Sequence, residues 1–161
     1  MRSFVLAALV AVSMSPGWAA DVAEPSGAAL TFVGQFSDDH LSGMLSRAGA
    51  RQPALIAASQ LNGQLVAAVF DAEIDRAVAQ YGPDWQRAMA QSWMGLLNDE
   101  QFTSLVADGA ESPHADAYVG LRNEAGGNMQ KNAGELFQKI LAEVMDRTIT
   151  ELGTAAPAAD Q

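Results

Sequence analysis

The chain has 161 residues, with nine Lys+Arg, nineteen Asp+Glu and no cysteine, a length that fits one domain. The net charge of −10 argues against duplex nucleic acid, where Lys and Arg must replace phosphate counterions, and against anionic membrane surfaces. Zero cysteine excludes disulfides, thiolate zinc sites, covalent c-type haem, a Cys nucleophile and a lipoprotein anchor, while 49% hydrophobic residues supply a core.

Arg2 gives a one-charge start, and Phe4 to Val12 is an apolar stretch of nine residues. Pro16-Gly17 breaks it before the small residues Ala19 and Ala20. This is the pattern of a cleavable secretory signal. A membrane span needs about 20 apolar residues, and the best later run, Leu65 to Phe70, is shorter still. We expect a signal peptide over 1–19, cut after Ala19 or after Ala20, and a soluble protein of a Gram-negative periplasm with no membrane span after cleavage. Loss of Arg2 makes the remainder more acidic. Residues 20–26, containing Pro25, read as a flexible leader.

Strand signals are nearly absent, and apolar residues recur at helical spacing. Gly27 to Gln35 reads as a short helix. Ser37 is the expected N-cap of the next, with Asp38 and Asp39 in its first turn. Leu41, Met44, Leu45 and Ala48 follow at helical spacing, and Gly49 stops it. Pro53 suits a first helical position. Beyond it, Leu61-Leu65-Val69 and Val66-Phe70-Ile74-Val78 form two adjacent rows expected to face a core. Asn62-Gly63 reads as a tolerated glycine or a local bend, and Tyr81-Gly82-Pro83 as the end of the helix.

Pro83 is then expected to open a helix with Trp85, Met89, Trp93 and Leu97 on one face. Asn98 and Gln101 form a capping box ahead of the inward-facing Phe102, Leu105 and Val106, and Asp108-Gly109 closes that turn. Ser112-Pro113 opens the last helical stretch. It reaches Leu152, with a kink or break expected at Gly126-Gly127. Its strongest apolar part is Leu136, Phe137, Ile140, Leu141, Val144, Thr148 and Leu152. Residues 153–161 read as a disordered tail. The expected fold is all-α, a single domain over 27–152 built as an irregular bundle of about five to seven antiparallel-packed helices.

Leu97-Asn98-Asp99-Glu100-Gln101-Phe102, then Ser112-Pro113, then a long helix containing Met129 and Gln130, resembles the exported bacterial family known as domain of unknown function 2059. The likeness spans roughly Leu96 to Leu152. Ala110-Glu111 stands where that family's pattern has Phe-Tyr. The resemblance implies an exported helical domain; the family has no assigned activity, so it implies no site residues.

Candidate chemistry is sparse. His40 and Met44 lie one turn apart, and imidazole with thioether suits copper. Two ligands do not make a site, so neither metal nor cofactor is expected. Glu111-x-x-His114 matches one of the two Glu-x-x-His motifs of a di-iron ligand set, but those centres need a second copy and two more glutamates in mid-helix. No Gly-x-Ser-x-Gly or His-Glu-x-x-His occurs. The neighbours Glu73/Asp75 and Asp99/Glu100 could serve glycosidase-like chemistry, although an acidic chain produces such pairs by number alone.

Trp85, Met89, Trp93 and Met94 are the candidate ligand or partner surface, since Met and Trp together make adaptable contacts. Trp85, Met89 and Trp93 carry core periodicity; Met94 lies off the stripe and is the expected exposed member. Two function classes follow. One is a non-enzymatic module binding an unknown protein or a small apolar ligand in a groove between helices. The other is an envelope-acting hydrolase using a carboxylate pair. The missing catalytic motif favours binding. A cavity walled by apolar groups, rather than by two close carboxylates, would separate the two.

Overall fold

The computed structural model describes residues 24–155. The expected signal peptide, residues 20–23 of the leader and residues 156–161 of the tail lie outside them. The described chain forms five α-helices: α1 (Gly27–Gly34), α2 (Ser37–Gly49), α3 (Pro53–Ser92), α4 (Asp99–Asp108) and α5 (Ala115–Ala155). A single 3-10 turn at Gly109–Glu111 links the last two. The only strand-like feature among the described residues is an isolated bridge between Met94 and Leu97. The fold is the all-α bundle expected from the spacing.

Local signals set the short helices. The Ser26 hydroxyl accepts the Ala29 N–H at 3.2 Å, capping α1, and donates to Asp99 at 2.5 Å, so the starts of α1 and α4 are tied together. Glu24 also pairs with Arg87 at 3.7 Å. The Asn98 capping box forms in full: Asn98 Oδ1 accepts the Gln101 N–H, and Gln101 Oε1 accepts the Asn98 N–H, both at 2.9 Å. Ser37 is not an N-cap. Only Gln35 and Phe36 separate α1 from α2, so Phe36 takes the cap position without a side-chain bond. Ser37 is buried inside the first turn.

The long helices depart further from the local reading. α3 does not end at Tyr81-Gly82-Pro83; it runs through Pro83 to Ser92. An interior proline costs about 3 kcal/mol and crowds the residue before it. Here that residue is Gly82, with no β-carbon to clash, and the buried Tyr81 and Trp85 on either side hold the helix in the core. The bend comes earlier, at Asn62 (φ −153°, ψ 85°), where the side chain accepts the Leu65 N–H at 3.1 Å and recaps the helix. Beyond this point Val66, Phe70 and Ile74 are buried as expected. Leu61 is 91% exposed and Leu65 38% exposed, so that row does not face the core. By length and composition α3 is long and apolar enough to cross a membrane, and most of its apolar stretch is not buried in the bundle.

α5 is likewise one helix through Gly126-Gly127, with no break, and it extends past Gly153 and Thr154 to Ala155 rather than fraying into a tail at 153. It begins at Ala115, two residues after Pro113, and the Ser112 hydroxyl takes the His114 N–H at 3.1 Å. Two glycines cost about 1 kcal/mol each against Ala. The flanking Ala125 and Ala133 are buried, and that packing keeps the helix intact.

α3 and α5 form the largest interface of the bundle. Asn128 donates to the Ser92 carbonyl at 3.1 Å, Tyr81 donates to Glu143, and Arg76 reaches Glu151 at 3.5 Å. Positions ascend on one helix as they descend on the other, so the pair is antiparallel. Ile140, Val144 and Thr148 of α5 are fully buried along this seam. α2 packs along α3 between Phe70 and Trp85, and α1 is held between α3 and α4. Phe32 of α1 anchors there, with ring centroids 5.5 Å from Phe102, 5.3 Å from Tyr118 and 6.5 Å from Trp93.

Candidate functional site

α2 and α5 stand on the same side of α3 without closing fully over it, which leaves a groove of about 620 Å³. That is within the range of small-ligand sites. Its α3 wall carries Trp85, Met89, Ser92 and the following Trp93. His40 and Met44 come from α2, with Phe36 just before it. The α5 wall runs from Tyr118 and Arg122 through Met129 to Phe137. Small residues on that wall, Ala125, Gly126, Ala133 and Gly134, make its width. A β-carbon built at Gly126 or Gly134 would meet no heavy atom within 4 Å.

The walls are rings and thioethers. Trp93 stacks on Tyr118 with centroids 4.9 Å apart. Trp85 lies 6.0 Å from Phe137 and stacks on His40 at 5.9 Å. Trp85 is 1% exposed, yet its indole N–H has no partner, and His40 Nδ1 is also buried and unpartnered among the described residues. An unsatisfied buried polar group costs about 1–3 kcal/mol. Burial, followed by the charge of Arg47, holds the His40 pKa below its ordinary 6.5, so this ring is neutral at pH 7. Ser92 is satisfied: its hydroxyl donates to the Ala88 carbonyl at 2.7 Å and lies 3.3 Å from the Met129 sulfur.

Of the metal and contact-surface candidates His40, Met44, Trp85, Met89, Trp93 and Met94, all but Met94 meet here. Trp85, Met89 and Trp93 are buried, as core periodicity requires, and they also wall the groove. Met94 is 37% exposed, as expected, but lies past the end of α3 and does not line the groove. His40 and Met44 do line it, together with Met89 and Met129. These groups are strung out rather than convergent. His40 stacks on Trp85, whereas the Met129 sulfur is held at Ser92, seven residues along α3 and so about 10 Å away along its axis. No group of three or more His, Asp or Glu gathers anywhere among the described residues.

The acid pairs sit elsewhere. Glu73 is 1% exposed between α3 and α5, while Asp75 is exposed. Asp99 and Glu100 are both exposed in the first turn of α4. Glu111 lies in the 3-10 turn and His114 just ahead of α5, not in mid-helix. Glu73 and Glu143 do share a small depression with Tyr81 and Arg147, but it has no volume for even a water-sized group. Arg76 and Arg147 pair with those carboxylates within their own helices, and the Tyr81 hydroxyl donates to Glu143 across the α3–α5 seam.

The α5 wall went unread in the sequence. Tyr118, Arg122, Gly126, Gln130 and Gly134 repeat every four residues, as do Ala125, Met129, Ala133 and Phe137. Expecting a break at Gly126-Gly127 divided those two rows and hid them. No family model matches the chain, and neither a curated protein nor a solved structure is similar to it.

Proposed function

We propose that this protein is a non-catalytic binder of a small, largely apolar ligand, held in the groove between α2, α3 and α5. The observation that carries this is a groove of ligand size walled by the rings of Phe36, Trp85, Trp93, Tyr118 and Phe137 and by three methionines. Aromatic faces supply apolar contact area, and methionine adapts its shape to an occupant. No carboxylate lines the groove, which favours binding over the carboxylate hydrolase.

Export belongs to the same proposal. The Arg2 start, the apolar run to Val12 and the small residues at Ala19-Ala20 support a periplasmic protein, as does the resemblance to domain of unknown function 2059. Intact-mass measurement on periplasmic protein should give a chain starting at Ala20 or Asp21; a full-length membrane-held species would refute export.

The binding test uses phenylnaphthylamine, an uncharged fluorescent probe of apolar sites. It should bind at one per chain and quench tryptophan emission. Gly134→Leu should abolish that binding with the fold intact, because the new side chain fills the groove where no protein atom stands. Binding that survives Gly134→Leu places the ligand elsewhere. Turnover of an envelope ester or glycan, lost on one carboxylate substitution, would replace the proposal with the hydrolase.

A further inference from the structure

We infer that the groove's ligand is an elongated apolar monoanion whose charged head, a carboxylate or sulfonate-like group, pairs with Arg122. This rests on the binding proposal above and adds the ligand's charge and orientation. Asp and Glu outnumber Lys and Arg nineteen to nine in the chain, yet none of the acids lines the groove and Arg122 does. The ion pairs among the described residues engage Arg76, Arg87 and Arg147; Arg122 makes none. His40, which also lines the wall, is kept neutral at pH 7 by its burial. The groove therefore carries one positive charge in a strongly negative molecule.

Position adds direction. Arg122 is near the start of α5 and Phe137 is fifteen residues further on, about 22 Å along a helix. Between them the wall is Ala125, Gly126, Met129, Ala133 and Gly134, with Gln130 its one polar side chain. A head held at Arg122 thus sends an apolar body along α5 toward the Trp85–Phe137 pair. Guanidinium offers a planar fork that matches carboxylate and sulfonate oxygens. A cation would find rings to stack on, but it would also meet Arg122 with no carboxylate in the wall to offset the repulsion. The acidic remainder of the surface repels anions generally, which confines the preference to this site.

The test compares two probes that differ only in charge: anilinonaphthalenesulfonate and its uncharged parent, phenylnaphthylamine. Wild type should bind the sulfonate about tenfold more tightly, the scale of one charge-assisted pair. Arg122→Gln should weaken the sulfonate far more than phenylnaphthylamine, bringing the ratio of the two affinities close to one, and Arg122→Lys should keep part of the ratio. The advantage should shrink as salt rises. Equal affinities in wild type, with both probes blocked by Gly134→Leu, would overturn the anion while leaving the groove as the site. Tighter binding of a long-chain trimethylammonium would overturn it as well. If neither naphthyl probe binds, the binding proposal itself falls.

Discussion

The ring of Phe70 on α3 occupies the space where a β-carbon on Gly49 would stand. α2 therefore reaches α3 at its last residue only because that residue has no side chain. Gly49→Ala should cost about 1–3 kcal/mol, the scale of an overpacked core, despite the helix propensity gained by removing a glycine. Denaturant unfolding would measure it, and Phe70→Leu added to Gly49→Ala should recover part of the loss. An unchanged midpoint for Gly49→Ala would show that the two helices separate freely.

His40 should make stability depend on pH in mild acid. Its folded pKa lies below 6.5, through burial first and Arg47 second, so the unfolded chain binds the proton more readily. The contribution is whole above pH 6.5 and is lost as the pH falls through the lowered folded value. Thermal melts of wild type should shift downward over that window more than those of His40→Asn. Because His40 stacks on Trp85, tryptophan emission should change over the same range in wild type alone. Parallel melts for the two proteins would remove His40 as the source.

Glu73 is buried with one oxygen on Arg76 and the other unpartnered. Arg76→Met should strand that carboxylate and cost about 1–3 kcal/mol. This is below the loss for a fully buried pair because the Arg76 side chain is half exposed. Adding Glu73→Leu should return most of the stability, since an apolar pair of similar size needs no partner. A double-mutant cycle in denaturant decides it. If the double variant is as weak as Arg76→Met, the loss is not electrostatic.

Asn98→Ala should cost about 1 kcal/mol, since it removes one arm of a complete capping box. Amide hydrogen exchange should rise first at Gln101, whose N–H loses its acceptor. Protection unchanged at Gln101 would mean that burial of Phe102, rather than the cap, sets the start of α4.

Residues whose partners lie within one turn could be read from the chain alone. The Asn98–Gln101 box, the Pro53 start and the Gly49 stop depend on neighbours three or four residues away, and they stand where the spacing put them. So does the helical class of the whole domain, because helical periodicity is local. The continuity of α3 across Pro83 and of α5 across Gly126-Gly127 was decided by tertiary packing, which holds a helix where local propensity would end it. The exposure of Leu61 was decided there too, because the bend at Asn62 and the neighbouring helices determine which row is covered. The groove is tertiary altogether. His40, Trp85, Arg122 and Phe137 are far apart in sequence and share a site only because α5 packs antiparallel along α3 and leaves room beside α2.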